Sequence, residues 1–230
     1  MARKRFLLGV LGLSVGAAML FQGAKAGGEY QDITSDCLKW HNAYRQDGLG
    51  SNAVPAMKAD SNAKKVMKVV AEKLMKSNCA SVQHSTEAKD AKLGENIFDS
   101  TRAATSCQEP VSLWYKEYQN FGGTYPGTHW SSSHFGMVGH FTQVMWSSSV
   151  GLGCFMIKGC SQNSNPVFCL YSPAGNYVGM APFSEATWKA IVSRGDKTPT
   201  PGSAGFGLSS SFVGSTVLLS ISAAFFQFAF

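Results

Sequence analysis

The sequence predicts a mixed α/β domain in which helices pack on a sheet, from three observations. Apolar residues at three- and four-residue spacing fill the first half of the chain. Runs rich in Val, Ile, Phe, Tyr and Cys occupy residues 150–158 and 167–172. Six cysteines, all between Cys37 and Cys169, bound one stapled body.

The 230 residues open with Arg3, Lys4 and Arg5, an apolar run from Phe6 to Phe21, and Ala24-Lys25-Ala26. That is the pattern of a secretory signal peptide, residues 1–26, cut before Gly27. Residues 27–35 form an N-terminal segment and residues 36–190 the body. Thr34 or Ser35 caps a first helix from about Asp36 to Gly48, with Leu38, His41 and Arg45 on one stripe and Trp40 and Tyr44 beside it. Asp60 or Ser61 caps a second, whose Ala63, Val66, Val70 and Leu74 face inward. Its other face carries Lys64, Lys65, Lys68, Lys73 and Lys76 and reads as a solvated surface rather than a nucleic-acid patch. Pro110, at a favoured first position, opens a third helix to about Asn120. A short strand is expected at Asn96–Phe98. The segments 150–158 and 167–172 read as a hairpin, and alternation over 140–146 suggests another strand.

Residues 191–211 are the linker, small and proline-bearing from Thr198 on. Phe212–Phe230 is uncharged and apolar, with no cytoplasmic Lys or Arg after it. With Ser203, Ala204 and Gly205 upstream, this is the pattern of a glycosylphosphatidylinositol (GPI) signal, attached at Ser203 or next best Gly202, with the tail removed. A tail anchor or a packed C-terminal helix fits less well. Four of the 20 basic residues lie within 1–26, so the remaining 16 nearly balance the 14 acids. The net charge of +6 is therefore no argument for nucleic acid. With 44% hydrophobic and 15% charged residues, wholesale disorder is excluded.

The cysteine count is even and the leader points to an oxidising compartment, so three disulfides are expected among Cys37, Cys79, Cys107, Cys154, Cys160 and Cys169. Six cysteines allow fifteen pairings, and spacing selects none. Among the polar residues, His84, Glu95, Glu117 and His140 lie in apolar or motif-like surroundings. Two neutral imidazoles can hold a divalent metal, with two carboxylates as orienters or as acid and base. A satisfied core histidine is the plainer reading of each ring.

Gly139-His140-Phe141-Thr142-Gln143-Val144-Met145-Trp146 and Phe168-Cys169-Leu170-Tyr171-Ser172-Pro173-Ala174-Gly175-Asn176-Tyr177 resemble the two signatures of the CAP superfamily. His41-Asn42-x-x-Arg45, His84-Ser85, Gly94-Glu95-Asn96-Ile97 and Trp114-Tyr115-x-Glu117 follow in the family order. The resemblance spans residues 36–184. It implies a three-layer α-β-α sandwich with a mixed, mostly antiparallel central sheet, and a short helix rather than a strand at 140–146. It also implies a cleft tetrad of His84, Glu95, Glu117 and His140, with zinc on His84 and His140. From the related venom antigens it implies Cys154–Cys169 and Cys37–Cys79 bridges, which leaves Cys107 with Cys160.

The resemblance implies binding of lipids or sterols, or of a host molecule, and favours a binding role over an enzymatic one. The body, residues 36–190, has no Gly-x-Ser-x-Gly elbow and no His-Glu-x-x-His helix. Phe121, Tyr125, Trp130 and Phe135, interleaved with glycines and serines, read either as an adaptable lipid-binding mouth or as a loop pinned to the core. Three functions compete: a GPI-anchored surface protein binding a lipid, sterol or host molecule; a zinc-dependent hydrolase; and a surface antigen of the coccidian type that uses the fold as a scaffold.

Overall fold

The computed structural model describes residues 28–128, 132–160 and 164–202. The signal, Trp130, Ser203 and the hydrophobic tail lie outside them. Five strands, β1 (Glu29–Asp32), β2 (Lys58–Ala59), β3 (Gly94–Phe98), β4 (Gly151–Lys158) and β5 (Val167–Ser172), form one sheet in the order β1-β4-β5-β3. All pairings along that path are antiparallel, and β2 adds to β4 in parallel.

Strand alternation divides the buried side chains between two helical layers. Leu152, Cys154 and Met156 of β4, with Val167, Cys169 and Tyr171 of β5, share one core with α1 (Thr34–Gln46), α4 (Gln108–Lys116), α5 (Phe135–Met145) and α6 (Glu185–Arg194). Phe155, Ile157, Phe168 and Leu170 share the other with α2 (Ser61–Lys76) and α3 (Thr86–Asp90). The result is a three-layer sandwich with a mixed, mostly antiparallel sheet. Among the described residues no helix is long and apolar enough to cross a membrane.

The second helix begins as its cap requires: the Asp60 carboxylate accepts from the Ala63 amide at 2.7 Å. The segment 140–146 is helical rather than extended, because Phe141, Val144 and Met145, at helical spacing, all enter the core. The third helix tightens into a 3-10 turn at Glu117–Phe121. Leu113 is exposed, so the buried stripe of α4 runs through Val111, Trp114 and Tyr115 instead.

Two of the three expected disulfides are corrected. Cys154 and Cys169 lie directly opposite each other in register and are bridged. Cys37 pairs with Cys107, and Cys79 with Cys160. The sheet is the physical reason. Cys37 and Cys107 belong to the core under α1 and α4, whereas Cys79 and Cys160 belong to the core under α2. A Cys37–Cys79 or Cys107–Cys160 bridge would have to pass through the sheet. Each native bridge in a small domain contributes about 2–5 kcal/mol.

Candidate functional site

The cleft is built where β3 and α5 approach. Gly94 permits this, since a Cβ there would collide with the Gln143 side chain. Gln143 is itself fixed, donating to Ser149 Oγ at 3.0 Å and accepting from the Gly175 amide at 3.0 Å. Asn176 straps the middle of α5, donating to Gly139 O at 2.8 Å and accepting from Thr142 Oγ1 at 2.7 Å. The two long sequence motifs thus interlock around His140. At the C-terminal end of α5, Arg45 is fully buried and gathers four carbonyls, those of Pro55, Val144, Trp146 and Ser149, at 2.7–3.1 Å. Its charge suits the negative end of the helix dipole.

Two histidine–glutamate pairs result. His84 Nδ1 meets Glu95 Oε1 at 2.9 Å, and the same carboxylate accepts the Ser85 amide at 2.9 Å and the Ser85 hydroxyl at 2.6 Å. His140 Nδ1 meets Glu117 Oε1 at 2.6 Å, and Glu117 Oε2 accepts the amides of His140 and Phe141 at 3.0 and 3.1 Å. These donors offset the cost of burying each carboxylate. The hydrogen bond to Glu95 raises the His84 pKa above the ordinary imidazole value. His84, Glu95, Asn96 and His140 line one cleft of about 440 Å³, with Phe135, Gly136, Gly139 and Asn176 as its other walls. Glu117 stands behind His140.

In each neutral ring, Nδ1–H is donated to a carboxylate. Nε2 then carries the lone pair and makes no hydrogen bond among the described residues. This carboxylate–imidazole arrangement is the one metal-ligating histidines use, and both rings line the same cleft. A cluster of three sulfurs, Cys37, Cys154 and Cys169, lies within 4.8 Å elsewhere. All three are in disulfides and offer no thiolate ligand.

The aromatic loop is split by the structure. Phe135 lines the cleft. Phe121 instead packs on Phe141 and Trp188, and Tyr125 donates to Phe183 O at 2.6 Å, so both pin the loop to the core on the α6 side. Sequence reasoning missed Ser85 as the holder of Glu95, and Asn176 as both wall and strap. Their presence in the His84-Ser85 and Gly175-Asn176 motifs was the available signal.

The CAP model, described as the cysteine-rich secretory protein family, matches residues 38–171. The chain belongs to the CAP family. Pathogenesis-related protein 1 of Arabidopsis thaliana is 31% identical over 179 residues, 78% of this chain and 96% of that one. Among solved CAP structures, NaASP2 with Zn2+ superposes with a TM-score of 0.52 at 26% identity, over 69% of this chain and 87% of that one. The Eimeria tenella surface antigen protein SAG19 shares the fold, with a TM-score of 0.52 at 12% identity over 73% of this chain and 98% of that one.

Proposed function

We propose that this CAP protein is a binding protein of the cell surface, whose cleft takes zinc at His84 and His140 and a lipid or sterol, or a host molecule, beside it. In this reading residues 1–26 direct secretion and a GPI anchor at Ser203 replaces the tail. The observation that carries the site is the pair of imidazoles, each fixed through Nδ1 by a carboxylate and, among the described residues, without a partner at Nε2. Bound zinc would supply a Lewis-acidic anchor for an anionic or carbonyl headgroup. Glu95 and Glu117 hold the rings in tautomer and orientation, and Asn96 and Asn176 add polar contacts on the wall. NaASP2, whose structure is named for its zinc, supports the metal; SAG19, named as a surface antigen, agrees with the placement at a surface.

The walls support an amphiphilic ligand. Phe135, Met137, Tyr177, Val178 and Met180, on the segments that flank the cleft, are exposed. From residue 118 to 184 the only Asp, Glu, Lys or Arg is Lys158. An uncharged apolar rim beside a polar floor matches a headgroup inside and hydrocarbon outside. Native mass spectrometry of the purified protein with zinc and extracted lipids tests this. The wild type should carry one zinc and a lipid adduct; His84→Ala with His140→Ala should lose the zinc. Unchanged zinc uptake in that double variant would reject the site.

A further inference from the structure

The other helical layer has a different character. Residues 58–92 contain eight lysines against four acids, and no Arg, Phe, Tyr or Trp. Two of the lysines are engaged: Lys64 with Asp32 and Lys73 with Glu87, each at 2.9 Å. Lys58, Lys65, Lys68, Lys76, Lys89 and Lys92 are exposed and make no ion pair or hydrogen bond among the described residues. Of the acids, Asp60 is spent on the α2 cap and Glu87 on Lys73, leaving only Glu72 and Asp90 to offset six cations. On α2, Lys65, Lys68 and Lys76 lie within one exposed arc with Glu72.

A groove of about 220 Å³ opens in the same layer, between the C-terminal half of α2 and residues 81–87. Val70 and Leu74 form its apolar part, and Lys73, Ser77, Gln83 and Thr86 offer polar groups. Glu87 also lines it, neutralised by Lys73, and His84 separates it from the cleft.

We infer that this layer docks a sulfated polysaccharide, with the lysines of α2 and α3 meeting its sulfates and the groove taking one sugar ring. Charge complementarity selects an anionic polymer. The composition selects among such polymers. Single-stranded nucleic acid is held by stacking on aromatic rings, and bases and phosphates by planar guanidinium groups; this layer has neither. A membrane-surface helix needs a broad exposed apolar face beside its cations, and α2 exposes one large apolar residue, Val69. What remains is a chain of point anions matched by compact ammonium charges, with hydroxyl and amide groups in the groove for sugar hydroxyls. Three disulfides belong to an oxidising compartment, where such polysaccharides occur and nucleic acid is scarce.

Fluorescence anisotropy with a labelled heparin oligosaccharide, in buffer with EDTA, tests the docking independently of the zinc reading. The wild type should bind, with log affinity falling linearly with log salt as for any polyelectrolyte. Lys65→Ser, Lys68→Ser and Lys76→Ser together should weaken binding about tenfold or more and flatten the salt slope. Lys116→Ser, Lys189→Ser and Lys197→Ser, an equal charge change on the opposite layer, should weaken it less than about twofold. No binding at physiological salt, equal loss in both triple variants, or retained affinity for desulfated heparin would overturn the proposal. So would equal or tighter binding to single-stranded DNA or to phosphatidylserine vesicles.

Discussion

His41 and His84 use the same side chain in opposite ways. His41 lies at the centre of the molecule, fully buried, with both nitrogens engaged: Nδ1 donates to Cys37 O at 2.8 Å, and Nε2 accepts from the Tyr171 hydroxyl at 2.8 Å. Tyr171 in turn accepts from Asn96 Nδ2, which also reaches His140 O. Burial lowers the His41 pKa to about 3, so the ring is neutral at any physiological pH. His84 is exposed, engaged only through Nδ1 among the described residues, and shifted upward by Glu95. A histidine with both nitrogens spent holds a fold together. One with a single nitrogen fixed and the other free is ready for a ligand. The core chain and the cleft pairs meet at Asn96 and His140, yet only the cleft pairs have bonding capacity left over.

Breaking the centre should therefore unfold the protein, while breaking the cleft should leave it folded. The largest effect is expected from Arg45→Met. It leaves four buried carbonyls without their donor, each costing about 1–3 kcal/mol if no water replaces it. A net loss of about 3–5 kcal/mol in urea unfolding is expected. A loss below about 1 kcal/mol would mean that the guanidinium is dispensable and that the centre is no more critical than the cleft.

The pH dependence sharpens the same contrast. The folded-state pKa of His41 lies below the unfolded value of 6.5, so the unfolded chain binds the proton more readily. Stability from this group is present above pH 6.5 and is lost as pH falls from there towards about 3, with a slope of up to about 1.4 kcal/mol per unit. His84 has the opposite sign: its contribution is present below the unfolded value and fades as pH rises through the raised folded one. His84 is exposed, so solvent screens that contribution. His41→Gln should start less stable at pH 7 and lose stability less steeply on acidification. An acid limb as steep as the wild type would assign the slope to other groups.

Much of this arrangement was legible in the sequence. The α2 cap at Asp60, the hairpin strands and the six bridged cysteines follow from local chemistry. The four tetrad residues came from motif resemblance, and the structure groups them as two hydrogen-bonded pairs. What sequence could not show depends on the third dimension. The alternation of 140–146 gave way to a helix because the segment is buried on most sides, so a two-residue period had no solvent face to mark. The disulfide partners depended on which face of the sheet each cysteine occupies, and cysteine spacing contains no record of that. Arg45 looked like one more residue on a helical stripe, because its four acceptors come from segments up to 104 residues away. The aromatic loop was ambiguous for a related reason: Phe121 and Tyr125 turn to α6 while Phe135 turns to the cleft.

The smallest expected effect separates the two regions most finely. Ser85 supports the cleft twice: its hydroxyl donates to Glu95 at 2.6 Å and accepts from the Ala88 amide at 3.2 Å as the cap of α3. Ser85→Ala removes both bonds but leaves Glu95 with the Ser85 amide and the His84 ring as donors. Losing a cap of this kind costs about 1 kcal/mol. Because α3 is only five residues long, much of that loss should appear as local fraying. Hydrogen exchange should then speed up at Ala88 and its neighbours, while the amides of α5 and β5 keep wild-type protection. If protection fell equally in α5 and β5, the cleft wall would be part of the same cooperative unit as the Arg45 centre. The division between a rigid middle and a ligand-ready edge would then be wrong.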